Sequence, residues 1–388
     1  MRQEQLVVES VYVHAPFCVR RCLYCDFAVT VRSTGDVDGW AGSIAAELTY
    51  LERSGLRLAD TLHSLYVGGG TPSLLGPTAM ERLGRAIGES RVTGPDLEWT
   101  AEANPESFTE DLGGAWRQAG VNRLSLGVQS FHEPTLRWMG RLHGADGAER
   151  AVRAARAVGL GNVSVDLVFG LPAHLERPWT EDLDRALELE VPHVSLYGLS
   201  VESGTPLGRA VAEGREPGVD EERYREEFLE AAERLTDAGY EHYEVSNFAR
   251  PGTWSRHNTV YWDGRPYLGL GNGAHSYVHP SRWWNTRDWA AYRERLLAGQ
   301  SPEEGRERID VATQTLEQTW LGLRTRSGLP LEGRSEAALT RVREWVRGGL
   351  ATVTEHRVRL TSEGWLLLDR LAVEFDSLDA PRGDAAAG

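Results

Sequence analysis

All three cysteines of the chain, Cys18, Cys22 and Cys25, fall within residues 11–27, which read VYVHAPFCVRRCLYCDF. On a short loop the spacing C-x-x-x-C-x-x-C brings three thiolates to one side of a single centre. A structural zinc site takes four ligands and commonly finds two of them in a second, distant pair. No further cysteine supplies that pair, and zinc with His14 as fourth ligand stays open. An odd cysteine count without an export signal argues for reduced thiols in a reducing compartment. Iron and sulfide suit this ligand set better. Three thiolates on a four-iron cluster leave one iron open to an exogenous ligand, by the logic of an open catalytic metal site.

Such a loop needs a wall to hold it. Residues 6–14 concentrate Val and Tyr like a buried strand and run directly into the cysteines, which places the loop at a strand's C-terminal end. Trp40, Ile44, Leu48 and Leu51 predict a helix over 38–51. A second strand, 61–67, runs into Gly68-Gly69-Gly70-Thr71-Pro72. Further strands over 97–101, 123–128, 162–165 and 193–199 exit at Glu102, Gln129, Asp166 and Ser200, with helices over 110–119, 145–157 and 181–189 between them. Six strands alternating with helices predict an α/β fold with a parallel sheet and right-handed crossovers. In barrels and in open doubly wound sheets alike, ligand groups gather at the C-terminal ends of strands. Every exit here carries Cys, Gly, Glu, Gln or Asp, the pattern one binding site needs.

After a charged helix over 220–238 the texture changes. Residues 240–292 are dense in rings, among them Trp254, Tyr261, Trp262, Trp283, Trp284 and Trp289, and read as a loop-rich connector packed under the barrel opening. Residues 300–308 read as a linker. Helices over 310–323, 335–346 and 362–375, with a hairpin over 350–360, suggest a small winged-helix-like module. The expected division is a barrel over 1–240, the connector over 241–300, a C-terminal domain over 301–376 and a disordered tail over 377–388.

A chain of 388 residues suits two domains with a large core. Its 41% hydrophobic and 26% charged composition is that of a soluble globular protein. A net charge of −15 gives no electrostatic footprint for nucleic acid. No apolar run approaches the roughly 18 residues that span a bilayer, and residues 1–10 lack the basic start and apolar core of a signal peptide. The expected location is cytoplasmic; a small patch for peripheral membrane contact would not show in composition.

The cysteine motif, with Tyr24 and Asp26-Phe27 around it, resembles that of the radical S-adenosylmethionine (SAM) superfamily. Over nearly the whole chain the sequence resembles its HemN-like branch and, within it, the HemW heme chaperones. The resemblance implies a partial six-stranded (β/α)6 barrel with a small C-terminal helical domain. It implies a 4Fe-4S cluster on Cys18, Cys22 and Cys25, whose open iron binds the amino and carboxylate groups of SAM. The GGGTP segment at Gly69, Gly70 and Thr71 would meet the amino end of SAM. Glu102 in A-E-A-N-P would accept hydrogen bonds from the ribose hydroxyls. Gln129 in G-V-Q-S-F, Arg141 in G-R-L-H and Asp166 in D-L-V-F-G-L-P match further SAM-binding positions, the arginine as a charge-assisted partner of a carboxylate. Tyr12 and Tyr24 would pack beside cofactor and cluster.

Residues 256–262, RHNTVYW, resemble the H-N-x-x-Y-W motif proposed to hold heme in HemW-like proteins. His257 is then the candidate axial ligand and His275 in G-N-G-A-H-S the fallback. No C-x-x-C-H attachment site exists. Two functions compete: a heme chaperone that delivers heme to apoproteins, and an oxygen-independent coproporphyrinogen III dehydrogenase. Proteins of the dehydrogenase type carry a further cysteine two positions after the third and a longer N-terminal extension. Here Phe27 stands at that position and 17 residues precede Cys18, so the chaperone is the expectation. A purely structural cluster is a third reading, which predicts no SAM binding. The electron donor and the heme-accepting apoproteins are not legible.

Overall fold

The computed structural model describes residues 6–379. Six strands pair successively and in parallel: β1 (Ser10–Ala15), β2 (Ser64–Gly69), β3 (Glu98–Ala103), β4 (Arg123–Gln129), β5 (Val163–Phe169) and β6 (His193–Gly198). Most of their residues are buried, as a sheet covered on both faces requires. β7 (Glu241–Glu244) and β8 (Asn247–Ala249) fold back antiparallel beyond β6, and β9 (Leu268–Leu270) adds a parallel edge beside β1. The nine-stranded order is β7-β8-β6-β5-β4-β3-β2-β1-β9. With β7 and β9 at opposite ends, the barrel is open.

Helix boundaries follow local chemistry. Asp36 caps helix Val37–Arg53, its carboxylate accepting from Gly39 N at 2.9 Å. The helix buries Trp40, Ile44 and Leu48, and Trp40 Nε1 donates to the His14 carbonyl at 2.9 Å, tying it to β1. Thr109 opens helix Glu110–Ala119, and Gly120 closes it in the left-handed region. Asp220 caps helix Glu221–Asp237.

A buried charge network fixes the loops that leave β4 and β5. Arg177 pairs with Asp182 at 3.3 Å and with Glu227, and all three are buried. Asp182 accepts from Phe131 N and Ser130 Oγ, each at 2.7 Å; Glu227 accepts from Gly170 N at 2.7 Å. Each carboxylate is thus both paired and hydrogen-bonded, the condition for burying it.

Several expectations are corrected. The strand placed over 162–165 continues to Phe169, because Asp166, like Ser164, is a polar inward-facing position in a strand otherwise of Val, Leu and Phe. The connector over 241–300 is built into the fold: it supplies both sheet edges, helix Arg256–Trp262, a hairpin of Ser281–Asn285 on His275–Val278, and helix Trp289–Leu297. Phe248, Trp283, Trp289 and Tyr292 join the central core. The linker over 300–308 is largely a strand, Glu303–Arg308, paired with Ser281–Asn285. Its exposed E-E-G-R-E-R sequence carries no apolar alternation to betray it. The last helix is two, Ser362–Trp365 and Leu368–Asp379. Residues 377–379 of the expected tail belong to the second, and the rest of the tail lies outside the described residues. Before them come helices Val311–Arg324 and Glu336–Arg347 and a three-stranded antiparallel sheet of Leu329–Pro330, Arg357–Leu360 and Ala351–Thr354.

Candidate cofactor site

The cysteine loop is pinned at its neck. Phe17–Cys18 pairs in parallel with Thr30–Val31; Thr30 N donates to the Pro16 carbonyl at 2.7 Å and Arg32 N to that of Cys18 at 2.9 Å. Above the loop a cavity of about 400 Å³ opens over the C-terminal ends of the strands. Cys18, Cys22, Cys25, Tyr24, Gly69, Gly70, Thr71, Glu102, Gln129, Arg141 and Asp166 all line it. Eleven of the expected site residues, drawn from the loop and from four other strand exits, therefore share one chamber.

Among the described residues no three His, Cys, Asp or Glu side chains converge on a point as a single metal ion needs. A four-iron cluster makes no such demand, since each thiolate takes its own iron around a cube. Three thiols spread along one cavity fit that group. Burial pushes the Cys18 thiol up to about 11, against the hydrogen bond from Thr71 Oγ1 at 3.4 Å, and also raises Cys25. These are the values of uncoordinated thiols, which metal binding deprotonates. His14 offers no fourth donor: its Nε2 lies 3.0 Å from the Ala28 carbonyl, and its Nδ1 3.1 Å from Tyr12 OH.

The glycine bend does more than admit a ligand. A Cβ on Gly68 would stand 2.7 Å from the Glu102 carboxyl carbon, and one on Gly70 2.6 Å from the Ala15 carbonyl oxygen. The bare backbone lets β1, β2 and Glu102 close up, with Gly69 in the left-handed region at φ 103°. Gly69 N then donates to Glu102 Oε2 at 3.0 Å, and Tyr66 OH to Oε1 at 2.7 Å. Burial pushes the Glu102 carboxyl up to about 7, with the Tyr66 hydrogen bond pulling the other way. Asp166 accepts from Ser125 Oγ at 3.2 and 3.3 Å, and burial lifts it to about 6.

Arg141 enters because helix Glu133–Met139 ends at Gly140 with φ 80°, turning the next residue inward. Its Nη2 donates to Asn104 Oδ1 at 2.7 Å and to the Gly127 carbonyl, and its Nη1 to Cys22 Sγ at 3.8 Å. Its Nε is buried without a partner. Gln129 sits at a bulge in β4 with φ 72°, a strain of order 1 kcal/mol or more for a non-glycine residue, and lines the cavity. Tyr24 lines the cavity and packs against a small apolar cluster that includes Met139 and Leu207.

Tyr12 lies outside the lining, stacked on Tyr66 with centroids 6.1 Å apart. His257 lies elsewhere altogether. It is 1% exposed, with Nδ1 2.8 Å from Ser64 Oγ and Nε2 2.8 Å from Tyr261 OH, and its backbone N–H donates to Glu98 Oε1 at 2.9 Å. Ser64 and Glu98 begin β2 and β3, so this imidazole sits at the end of the sheet opposite the cysteines, about 16 Å along β2 at the usual rise per residue. His275 is exposed, stacked on Trp284 at 5.7 Å. Sequence reasoning passed over Asn104 and Glu106, two and four residues beyond Glu102, and Tyr197, all of which line the cavity, and Tyr66, which holds Glu102. The strand alternation of S-L-Y-V-G-G and H-V-S-L-Y-G would have put both tyrosines on the inner face. At the cavity mouth Val19, Phe27, Leu142 and Tyr197, 46–63% exposed, stand beside exposed Arg20, Arg21 and Asp26.

A parallel α/β wall presenting a three-thiol loop, a glycine bend and inward carboxylates to one chamber defines a radical SAM protein. The family model for the radical SAM superfamily matches residues 12–186. A heme chaperone HemW of Mycobacterium tuberculosis is 39% identical, the alignment covering 93% of each chain. The radical S-adenosyl methionine domain-containing protein 1, mitochondrial, of Bos taurus is 35% identical over 94% of this chain and 87% of the relative. The structure of coproporphyrinogen III oxidase (HemN) from Escherichia coli superposes with a TM-score of 0.76 over 96% of this chain and 91% of that one, at 21% identity, a likeness of fold. The chain belongs to the HemW family of the radical SAM superfamily.

Proposed function

We propose that this protein is a heme chaperone: it holds a 4Fe-4S cluster and SAM in the strand-end cavity, binds heme, and delivers it to apoproteins in the cytoplasm. The observation that carries the reading is Phe27. It is 63% exposed at the cavity mouth, directly after Asp26, where the resembling dehydrogenases place a cysteine. The name carried by the M. tuberculosis relative, aligned over 93% of each chain, supports it.

Cys18, Cys22 and Cys25 would hold the cluster. Gly69, Gly70, Thr71 and Arg141 would take the amino acid part of SAM, and Glu102, Gln129 and Asp166 its remaining polar groups. The chemistry supplied when both are bound is one-electron cleavage of the sulfonium bond. The chain's own part is to fix Glu102 between Tyr66 and Gly69 and to hold Arg141 at the cavity wall against Asn104 and the Gly127 carbonyl. For an imidazole ligand to heme iron His275 is the accessible candidate, because both His257 ring nitrogens are engaged inside the barrel. Any membrane contact would be peripheral, since no helix among the described residues is long and apolar enough to cross a bilayer.

Anaerobic cluster reconstitution, then incubation with coproporphyrinogen III, SAM and reductant beside a heme titration, tests the reading. Heme binding without protoporphyrinogen formation is expected. Product at many turnovers would make the protein a coproporphyrinogen dehydrogenase instead.

A further inference from the structure

Beneath the cofactor chamber the barrel is filled by polar side chains. Its floor is Ser10, Ser64, Glu98, Arg123, Ser164 and His193, one from each of β1 to β6 and all buried, where barrels commonly place branched apolar residues. Strand alternation puts Arg123 on the same inward face of β4 as Ser125, whose hydroxyl donates to Asp166, and as Gly127 of the cavity lining.

Arg123 is 2% exposed, has no ion pair among the described residues, and its Nε is buried without an acceptor. Thr100, opposite it in β3, has an Oγ1 that is likewise unpartnered. Nothing on the floor answers the charge. Glu98 accepts from the backbone N–H groups of Arg256 and His257 at 3.0 and 2.9 Å, and it lies 3.9 Å from the Arg256 guanidinium. His193 has Ser164 Oγ 2.7 Å from Nδ1 and Tyr243 OH 2.8 Å from Nε2, and burial keeps it neutral. A guanidinium does not shed its proton, so a buried one without a pair is stabilised by charges further off.

Those charges stand above it, on Glu102 and Asp166. Of the two cations that act on Asp166, Arg123 outweighs Arg141, and Arg123 acts on Glu102 as well. The other titratable groups that face the two carboxylates are neutral near pH 7. They are Tyr12 and His14 from β1, Tyr66 from β2, Tyr197 from β6 and Tyr24 from the cysteine loop, burial pushing His14 down to about 4 and Tyr12 and Tyr66 up.

We propose that Arg123 is a positioning residue of the SAM site, a buried countercharge that lets Glu102 and Asp166 ionise to meet the donors of SAM without itself touching the cofactor. The inference rests on the SAM site assigned above. It makes the barrel floor part of that site's electrostatics, since one cation below two carboxylates attracts both through a lumen that water does not screen.

The test is calorimetric titration of SAM into the reconstituted full chain at intervals from pH 6 to pH 9, with thermal midpoints as the check on folding. Arg123→Met should displace the rise of affinity upward by about one pH unit, leaving binding up to about tenfold weaker at pH 7 and equal to wild type at pH 9. Arg123→Lys keeps the charge and should keep the wild-type profile. Should the methionine variant not fold, Arg123→Gln, which keeps a donor and drops only the charge, should show the same displacement. Affinity that is unchanged, or lowered equally at every pH, in the charge-free variants overturns the inference, and so does a lysine profile displaced like that of methionine. Failure of SAM to bind the wild-type protein is a different result, which overturns the SAM site itself.

Discussion

The cysteine chamber and the H-N-x-x-Y-W segment are both rich in residues that do chemistry, and the fold treats them in opposite ways. In the chamber, groups are gathered and left wanting: Arg141 keeps an unpartnered Nε, Gln129 sits in a strained conformation, and Glu102 and Asp166 are held where burial resists their ionisation. At the other end of β2, His257 has a partner on each ring nitrogen and a ring stacked 5.2 Å from Tyr66. Burial pushes that imidazole down to about 3, so it stays neutral. A side chain whose partners are all present acts as structure, and one whose partners are missing awaits a ligand.

The harshest way to probe the contrast is Cys22→Ser. Cluster absorbance after reconstitution should vanish, while the thermal midpoint of the apoprotein stays within a degree or two, because this cysteine is only partly buried. A cluster that persists unchanged would remove Cys22 from the ligand set. At the opposite end, His257→Ala should cost about 2–4 kcal/mol of unfolding free energy, since it opens a cavity and strands Ser64 and Tyr261. Its heme Soret band should match wild type. His275→Ala should do the reverse, shifting the Soret band with roughly 0.5 kcal/mol or less of stability change at an exposed position. A Soret shift in His257→Ala at unaltered stability would erase the distinction between the two regions.

The same contrast explains what could be read beforehand. Strand exits were legible because period-two apolar runs stop at a polar residue, and Glu102, Gln129 and Asp166 all reached the chamber although Glu102 and Asp166 lie inside their strands. The left-handed backbone of Gln129 left no mark on its sequence, since it arises from a bulge against β5. The burial of the H-N-x-x-Y-W segment was not legible because a motif gives residue types and says nothing of partners, and Ser64 and Glu98, which hydrogen-bond His257, are more than 150 residues away. Glu303–Arg308 escaped notice for a related reason: an exposed strand of charged residues is stabilised by its neighbour, Ser281–Asn285.

The gentlest probe uses protons. The folded chain keeps the Glu102 proton to about pH 7, whereas an ordinary glutamate releases it near 4.5. Across that window the folded state binds more protons than the unfolded one, so this residue makes stability fall as pH rises from 4.5 to 7 and level off above. SAM should act oppositely. Ribose hydroxyls donate to the ionised carboxylate, so affinity for SAM should climb as pH rises through 7, by at most about tenfold per unit below it and with no further gain above. Calorimetric titration of SAM into the reconstituted protein at pH 6 and pH 8 measures the slope, and Glu102→Gln, uncharged throughout, should flatten it while weakening binding at pH 8. A wild-type slope that the glutamine variant retains would assign the proton to another group, Asp166 being next because burial lifts it to about 6. A flat wild-type profile would mean that the Tyr66 and Gly69 hydrogen bonds keep Glu102 for the protein's own use, and would place this carboxylate with His257 among the satisfied residues.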